Sequence, residues 1–190
     1  MSDLKLVIGN KRYSSWSLRP WLLMTHFGMP FEEILVPLDT PEFKPTVLTY
    51  SPSGKVPCLV DGPVHVHETL AIFEYLAEIF PEHAVWPRDR AARALARALA
   101  SEMHAGFMGL RSACPMNLRR SFAFKDRGPA AAKDVTRIVE AWRDARGRFG
   151  AGGPFLFGAF SAADAMFAPV VTRLDTYSWP VDGDIRAYMD

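Results

Sequence analysis

The hydrophobic periodicity of this chain changes once, near residue 81. Before that point, apolar runs of strand length alternate with helical stretches; after residue 90 only helical spacing remains. Leu4 to Ile8 alternates around Lys5 and reads as a strand ended by Gly9-Asn10. Trp16, Pro20, Leu23, Met24 and Phe27 recur at helical spacing, and Gly28 closes that helix. Phe31 to Val36, bounded by Pro30 and Pro37, is a second strand. Pro41, Pro45 and Pro52 break residues 39–54 into irregular structure with a helical turn. Cys58-Leu59-Val60 reads as a short strand, Asp61-Gly62-Pro63 as a turn and Val64 to His67 as the returning strand. Leu70, Phe73, Leu76, Ala77 and Phe80 mark a helix that stops before Pro81. The order predicts a βαβ unit followed by an antiparallel hairpin on the same sheet.

Beyond Pro81, "PEHAVWPRD" reads as a linker, dividing the chain into residues 1–80, a linker at 81–87 and an all-helical part at 88–190. Leu95, Leu99, Met103, Phe107 and Leu110 predict one apolar stripe of a single long helix. Val135, Ile138, Trp142 and Phe149 mark a second helix; Met166, Val170, Leu174 and Tyr177 mark a third that begins at Ser161. This half is therefore a helical bundle. Ser161-Ala162-Ala163-Asp164 is a capping-box variant with Asp in place of Glu, and Phe160 ahead of it is placed to staple the turn. "GAGGPFLFGAF" is a Gly-rich loop without the Lys-Ser/Thr of a phosphate loop.

Charge excludes some partners. With 22 basic and 21 acidic residues and a net charge of +1, nothing points to nucleic acid. No apolar run approaches the roughly 20 residues that span a bilayer, and the apolar stretch of "MSDLKLVIGNKR" is too short for a signal peptide. Two cysteines, Cys58 and Cys114, make no disulfide framework, so we expect free thiols in a reducing cytoplasm. His65 and His67 share one strand face, but no third ligand follows at suitable spacing, so no metal is expected.

The stretch "SPSGKVPCLVDG" sets a proline against the start of an apolar strand. A trans Pro57 would simply begin an edge strand. A cis Val56-Pro57 bond would instead turn the main chain of Val56 out of the sheet, where a short peptide could pair with it. Nearby, Thr69 falls at the start of a helix, whose free N–H groups bind a carboxylate. Glu68 is placed to accept from an ammonium, and Lys55 adds a positive charge for a second carboxylate. The plain alternative is that Glu68 and Thr69 only cap the helix.

Together, "SPSGKVPCLVDGPVHVHETLAIFEYL", the upstream "YSSWSLRP" and the downstream "FSAADAMFAPVV" resemble the cytosolic glutathione transferases. Among their classes the zeta or maleylacetoacetate-isomerase-like group is most similar. The resemblance runs from residue 4 to about residue 177. It implies an α/β thioredoxin-like N-terminal domain and an all-α C-terminal helical bundle. It further implies a cis Pro57, a Val56 main chain paired with the cysteinyl part of glutathione, and Glu68 and Thr69 on the γ-glutamyl head. Lys55 would lie near the glycine carboxylate. The family usually has Ser at the position of Thr69; Thr keeps the hydroxyl.

A free thiol has a pKa of about 8.5, so a transferase must favour the thiolate with a helix N-terminus and a hydroxyl donor. Ser14 matches the catalytic serine of the zeta pattern; Ser15 is a second candidate and Tyr13 a third, while the bland reading is that Ser14, Ser15 and Ser17 compete to cap the helix. Trp16 replaces the cysteine of the zeta pattern, which argues against reductase chemistry and sets an aromatic wall at the site. Met103, Phe107, Met108 and Arg111 are candidates for an apolar pocket, or are bundle core. The expected activity is addition of the glutathione thiol to a small hydrophobic electrophile, or glutathione-dependent cis–trans isomerisation, in a cytoplasmic homodimer with a detoxifying role. The rival reading is a non-catalytic module of the same fold. The family pattern runs on for one or two further helices, whereas this chain stops at Asp190 just after "DIRAYM", which predicts a helix on Ile185, Tyr188 and Met189.

Overall fold

A computed structural model describes residues 4–190. The chain divides into two compact units between Val85 and Trp86. In the first, strands β1 (Leu4–Ile8), β2 (Glu32–Leu35), β3 (Cys58–Asp61) and β4 (Val64–His67) form one sheet in the order β2-β1-β3-β4. β1 runs parallel to β2 and antiparallel to β3, and β3 runs antiparallel to β4. Helices α1 (Ser15–His26), α2 (Phe43–Leu48) and α3 (Thr69–Ile79) complete the unit, which has the expected thioredoxin-like arrangement.

The strands sort by their sequences. Central β1 and β3 bury Leu6, Val7, Ile8, Cys58 and Leu59 completely, as strands covered on both faces must. β2 and β4, at the edges, carry Glu32, Glu33, His65 and His67 exposed to water, which discourages further strand pairing. Lys5 lies opposite Glu32 in the β1–β2 register and forms an ion pair with it at 3.5 Å. On one side of the sheet, Val7, Val36, Val47, Cys58 and Val60 make a cluster joined by Ile34, Phe43, Tyr50 and Val56. The helical turn expected among the prolines of residues 39–54 is α2, which contributes Val47 and Phe43. The Val56–Pro57 bond is cis, and the β3 ladder begins only at Cys58.

The second unit holds α4 (Arg90–Ala105), α5 (Met108–Ala113), α6 (Pro129–Phe149), α7 (Ala162–Thr176) and α8 (Gly183–Met189). The single long helix expected through Leu95 and Leu110 is in fact two. Gly106 ends α4, and Phe107 takes a left-handed conformation with φ 59°. The apolar spacing survives the break because Met103, Phe107 and Leu110 are all buried on either side of it. Periodicity alone therefore hid the interruption.

α7 begins on the expected capping box. Ser161 Oγ accepts from Ala163 N, and Asp164 Oδ2 accepts from Ser161 N at 2.9 Å and Ser161 Oγ at 3.0 Å. Asp164 Oδ1 reaches further, to Leu156 N at 2.9 Å and Tyr188 Oη at 3.3 Å. The carboxylate thus ties the Gly-rich loop and α8 to the start of α7. Burial pushes its pKa up, while these donors pull the other way. Trp142 of α6 is fully buried, edge-on to Phe167 of α7 and Tyr188 of α8.

Candidate functional site

Pro20 decides how the first unit brings its two helix starts together. It lies inside α1, where a residue without an N–H leaves the carbonyl four positions back without its helical donor. That carbonyl belongs to Trp16, and Thr69 Oγ1, from the first residue of α3, donates to it at 3.4 Å. Thr69 is 1% exposed, so its hydroxyl ties one helix start to the other. The N-terminal ends of α1 and α3, each with free N–H groups and a partial positive charge, meet at this bond.

The serines stack behind that junction. Ser14 is the N-cap of α1 and makes no side-chain cap bond; α1 begins at Ser15, so Ser17 lies inside its first turn. Ser14 Oγ donates to Ser17 Oγ at 2.8 Å, and Ser17 Oγ also accepts from Gly9 N at 2.9 Å. Ser14 is 8% exposed and Ser15 half-buried. Arg19, fully buried, donates through Nη1 to the Ser15 carbonyl at 2.9 Å and lies 4.3 Å over the ring of Trp16. The half-buried indole of Trp16 is therefore held in place by a guanidinium on one face. Tyr13 is 48% exposed on the turn that precedes Ser14.

Glu68 is the N-cap of α3 with φ 73° and ψ 128°, a conformation that non-glycine residues seldom adopt. Its side chain is exposed. Lys55 is exposed too, on the turn held by Ser53 Oγ, which accepts from Lys55 N at 3.2 Å. Val56 is half-buried and Pro57 buried. The first unit thus carries Ser14, Ser15, Trp16, Lys55, Val56, Pro57, Glu68 and Thr69.

The other candidates lie in the second unit. Met103 of α4 is fully buried and Phe107, at the break, 7% exposed. Met108 opens α5 and is 58% exposed. Arg111 is half-buried and donates through Nη1 to the Gly106 carbonyl at 3.1 Å. His65 Nδ1 lies 2.6 Å from the Tyr50 carbonyl. Among the described residues no group of His, Cys, Asp or Glu side chains is arranged to hold a metal. Among the described residues, no helix is long and apolar enough to cross a membrane. Cys58, buried in β3, has its pKa pushed up to about 11 by desolvation.

Two family models match this chain. One, for the glutathione S-transferase N-terminal domain, spans residues 13–79; the other, for the C-terminal domain, spans residues 125–190. A zeta-class glutathione S-transferase of Euphorbia esula is 39% identical over 77 residues, 40% of this chain and 34% of that protein. A protein of Caenorhabditis elegans named "Probable maleylacetoacetate isomerase" is 35% identical over 111 residues, 58% of this chain and 51% of that one. The chain thus matches between about a third and a half of the length of these curated relatives. Among solved structures, a Burkholderia glutathione transferase homolog with bound glutathione superposes with a TM-score of 0.72 at 24% identity, covering 98% of this chain and 89% of that one. A diazinon-metabolizing glutathione S-transferase of Bombyx mori gives 0.74 at 17% identity, covering 98% and 88%.

Proposed function

Since the chain belongs to the glutathione S-transferase family, we propose that its first unit binds glutathione and ionises the thiol for attack on a small electrophile or for a glutathione-dependent cis–trans isomerisation. The observation that carries the reading is the Thr69–Trp16 bond, which joins the positive ends of α1 and α3. Val56, just ahead of the β3 ladder, offers its main chain to the cysteinyl part of the tripeptide. Glu68 and Thr69, with the N–H groups of the first turn of α3, hold the γ-glutamyl head. Lys55 attracts the glycine carboxylate. Trp16 walls the reacting centre. In the second unit, Met108 and Arg111 are the acceptor-side candidates that reach solvent.

Ser14 supplies the donor to the sulfur. Its proton rests on Ser17 Oγ, which already accepts from Gly9 N. Rotation of the Ser14 hydroxyl toward a thiolate lets Ser17 donate to Ser14 Oγ in return. The donors then run in one direction, from Gly9 N–H through Ser17 and Ser14 to the sulfur, and each polarises the next. The pole of α1 acts in the same sense.

Glutathione titration calorimetry and a thiol-conjugation assay test this. Ser14→Ala is expected to lower turnover by on the order of a hundredfold, the usual loss of one donor to a developing anion, while the dissociation constant for glutathione changes little. Ser17→Ala should lower turnover less, and Glu68→Ala should weaken binding. Absence of glutathione binding by the unmodified chain, or equal loss of affinity and turnover in Ser14→Ala, would overturn the assignment.

A further inference from the structure

The whole-chain charge of +1 conceals a local concentration. Between α5 and α6, residues 117–127 carry Arg119, Arg120, Lys125 and Arg127 against one acid, Asp126. Residues 118–126 are exposed without interruption. Three of the four large hydrophobic side chains that the second unit exposes lie in this stretch: Leu118 at 43%, Phe122 at 37% and Phe124 at 48%. Arg119, Arg120 and Lys125 make no ion pair among the described residues. Asp126 already has a main-chain donor, Gly128 N at 2.8 Å from Oδ1.

The stretch contains neither helix nor strand, yet it is anchored to the end of α7. Arg173, buried in α7, donates through Nη1 to the carbonyls of Arg111, at 3.2 Å, and Cys114, where α5 ends. Thr176 Oγ1 donates to the Asn117 carbonyl at 3.1 Å, and Phe122 N donates to the Thr176 carbonyl at 2.7 Å. The Phe122 ring stacks on Tyr177 at 5.3 Å, and the Arg127 guanidinium lies 4.5 Å from the same ring. Phe124 meets Trp179 edge-on at 5.5 Å. With all these contacts made, Leu118, Phe122 and Phe124 still stand partly in water. Their exposure therefore belongs to the finished fold, and a partner meets a surface already ordered, without the entropy cost of ordering it.

We infer that residues 118–125 rest on the surface of an anionic phospholipid bilayer. Unpaired cations beside exposed hydrocarbon match the bilayer interface, which offers anions and acyl chains within one side-chain length of each other. Arg119, Arg120 and Lys125 meet the headgroups, and Leu118, Phe122 and Phe124 enter the boundary beneath them. A nucleic acid would answer the cations and leave the Leu118 side chain in water. Such a contact lies on the membrane and needs no spanning helix. It does not depend on the glutathione reading.

The full chain is sedimented at low salt with phosphatidylcholine vesicles, either plain or carrying roughly one-third phosphatidylserine. Binding is expected only where phosphatidylserine is present. Salt at about 1 M, where the screening length falls to about 3 Å, should release most of it. Arg119→Gln combined with Arg120→Gln should weaken partitioning about 25-fold, about fivefold for each lost cation. Leu118→Ala keeps every charge and should weaken it about threefold or more, a response that a purely ionic contact would not give. Both variants replace exposed side chains, so their far-ultraviolet circular dichroism should match that of the unmodified chain. Equal sedimentation with and without phosphatidylserine, or full affinity in either variant, would overturn the proposal. So would no sedimentation with either vesicle, in which case retention of a single-stranded oligonucleotide assigns the cations to nucleic acid. None of these outcomes touches the glutathione assignment.

Discussion

Removing the carboxylate of Asp164 should damage the second unit more than any other single truncation of a polar side chain at the start of α7. Asp164 is 4% exposed and accepts from two main-chain donors, Leu156 N and Ser161 N, both at 2.9 Å. Leu156 and Ser161 are themselves 0% and 2% exposed, so water cannot replace the lost acceptor without disturbing the packing. Each buried N–H left without a partner costs about 1–3 kcal/mol, giving about 2–6 kcal/mol for the pair. Part of this is offset, because the wild-type chain also bears the desolvation of a buried carboxylate, the leading cause of its raised pKa. We therefore expect Asp164→Ala to destabilise by about 3 kcal/mol, equivalent to about 6–12 °C in Tm for a chain of this length. Ser161→Ala should lose about 1 kcal/mol, the usual value of an N-cap, and Tyr188→Phe, which removes a 3.3 Å bond, less still. Urea unfolding followed by far-ultraviolet circular dichroism, to which this unit contributes five of the eight helices among the described residues, measures the loss. A loss below about 1 kcal/mol for Asp164→Ala, or a larger one for Ser161→Ala, would refute the reasoning.

Gly109→Ala should also destabilise this unit, by about 1–3 kcal/mol, because a Cβ there would meet the carbonyl carbon and oxygen of Ala130 at 2.6 Å. The same urea experiment decides it, and wild-type behaviour would show that the start of α6 yields. Asp184, held by hydrogen bonds from Arg143, has its pKa lowered from 3.8 to about 2. A carboxylate depressed in the folded state stabilises above its unfolded pKa and ceases to do so as pH falls through the folded one. The stability gap between wild type and Asp184→Asn should therefore be steady near pH 5 and close as the pH falls from about 3.8 to 2. A gap that widens over that interval would count against the pairing.

The sheet was legible because its strands are short apolar runs between turn residues, and α3 because Leu70, Phe73 and Leu76 repeat at helical spacing. The capping box was legible because it is local, needing only a hydroxyl and an acid three residues apart. What the sequence concealed depends on contacts between distant residues. Gly106 looks like any tolerated helix glycine until its approach to the Glu102 carbonyl, where a Cβ would stand at 2.8 Å, is known. Pro20 reads as a nuisance within α1; only the fold supplies the Thr69 hydroxyl that answers the carbonyl it frees. The buried arginine did leave a trace. Arg173 occupies the stripe of Val170, Leu174 and Tyr177, where an apolar residue is expected.

The state of the two cysteines has a practical side. Cys58 and Cys114 are the chain's complement of thiols; both are buried, and desolvation raises the pKa of each, that of Cys58 to about 11. Near neutral pH the folded polypeptide therefore adds little thiolate absorbance of its own to the constant background of its peptide and aromatic groups, and is slow toward alkylating dyes. A tripeptide added to it can be followed by its own sulfur signal, with the natural chain serving as its own blank and no cysteine-free variant to build.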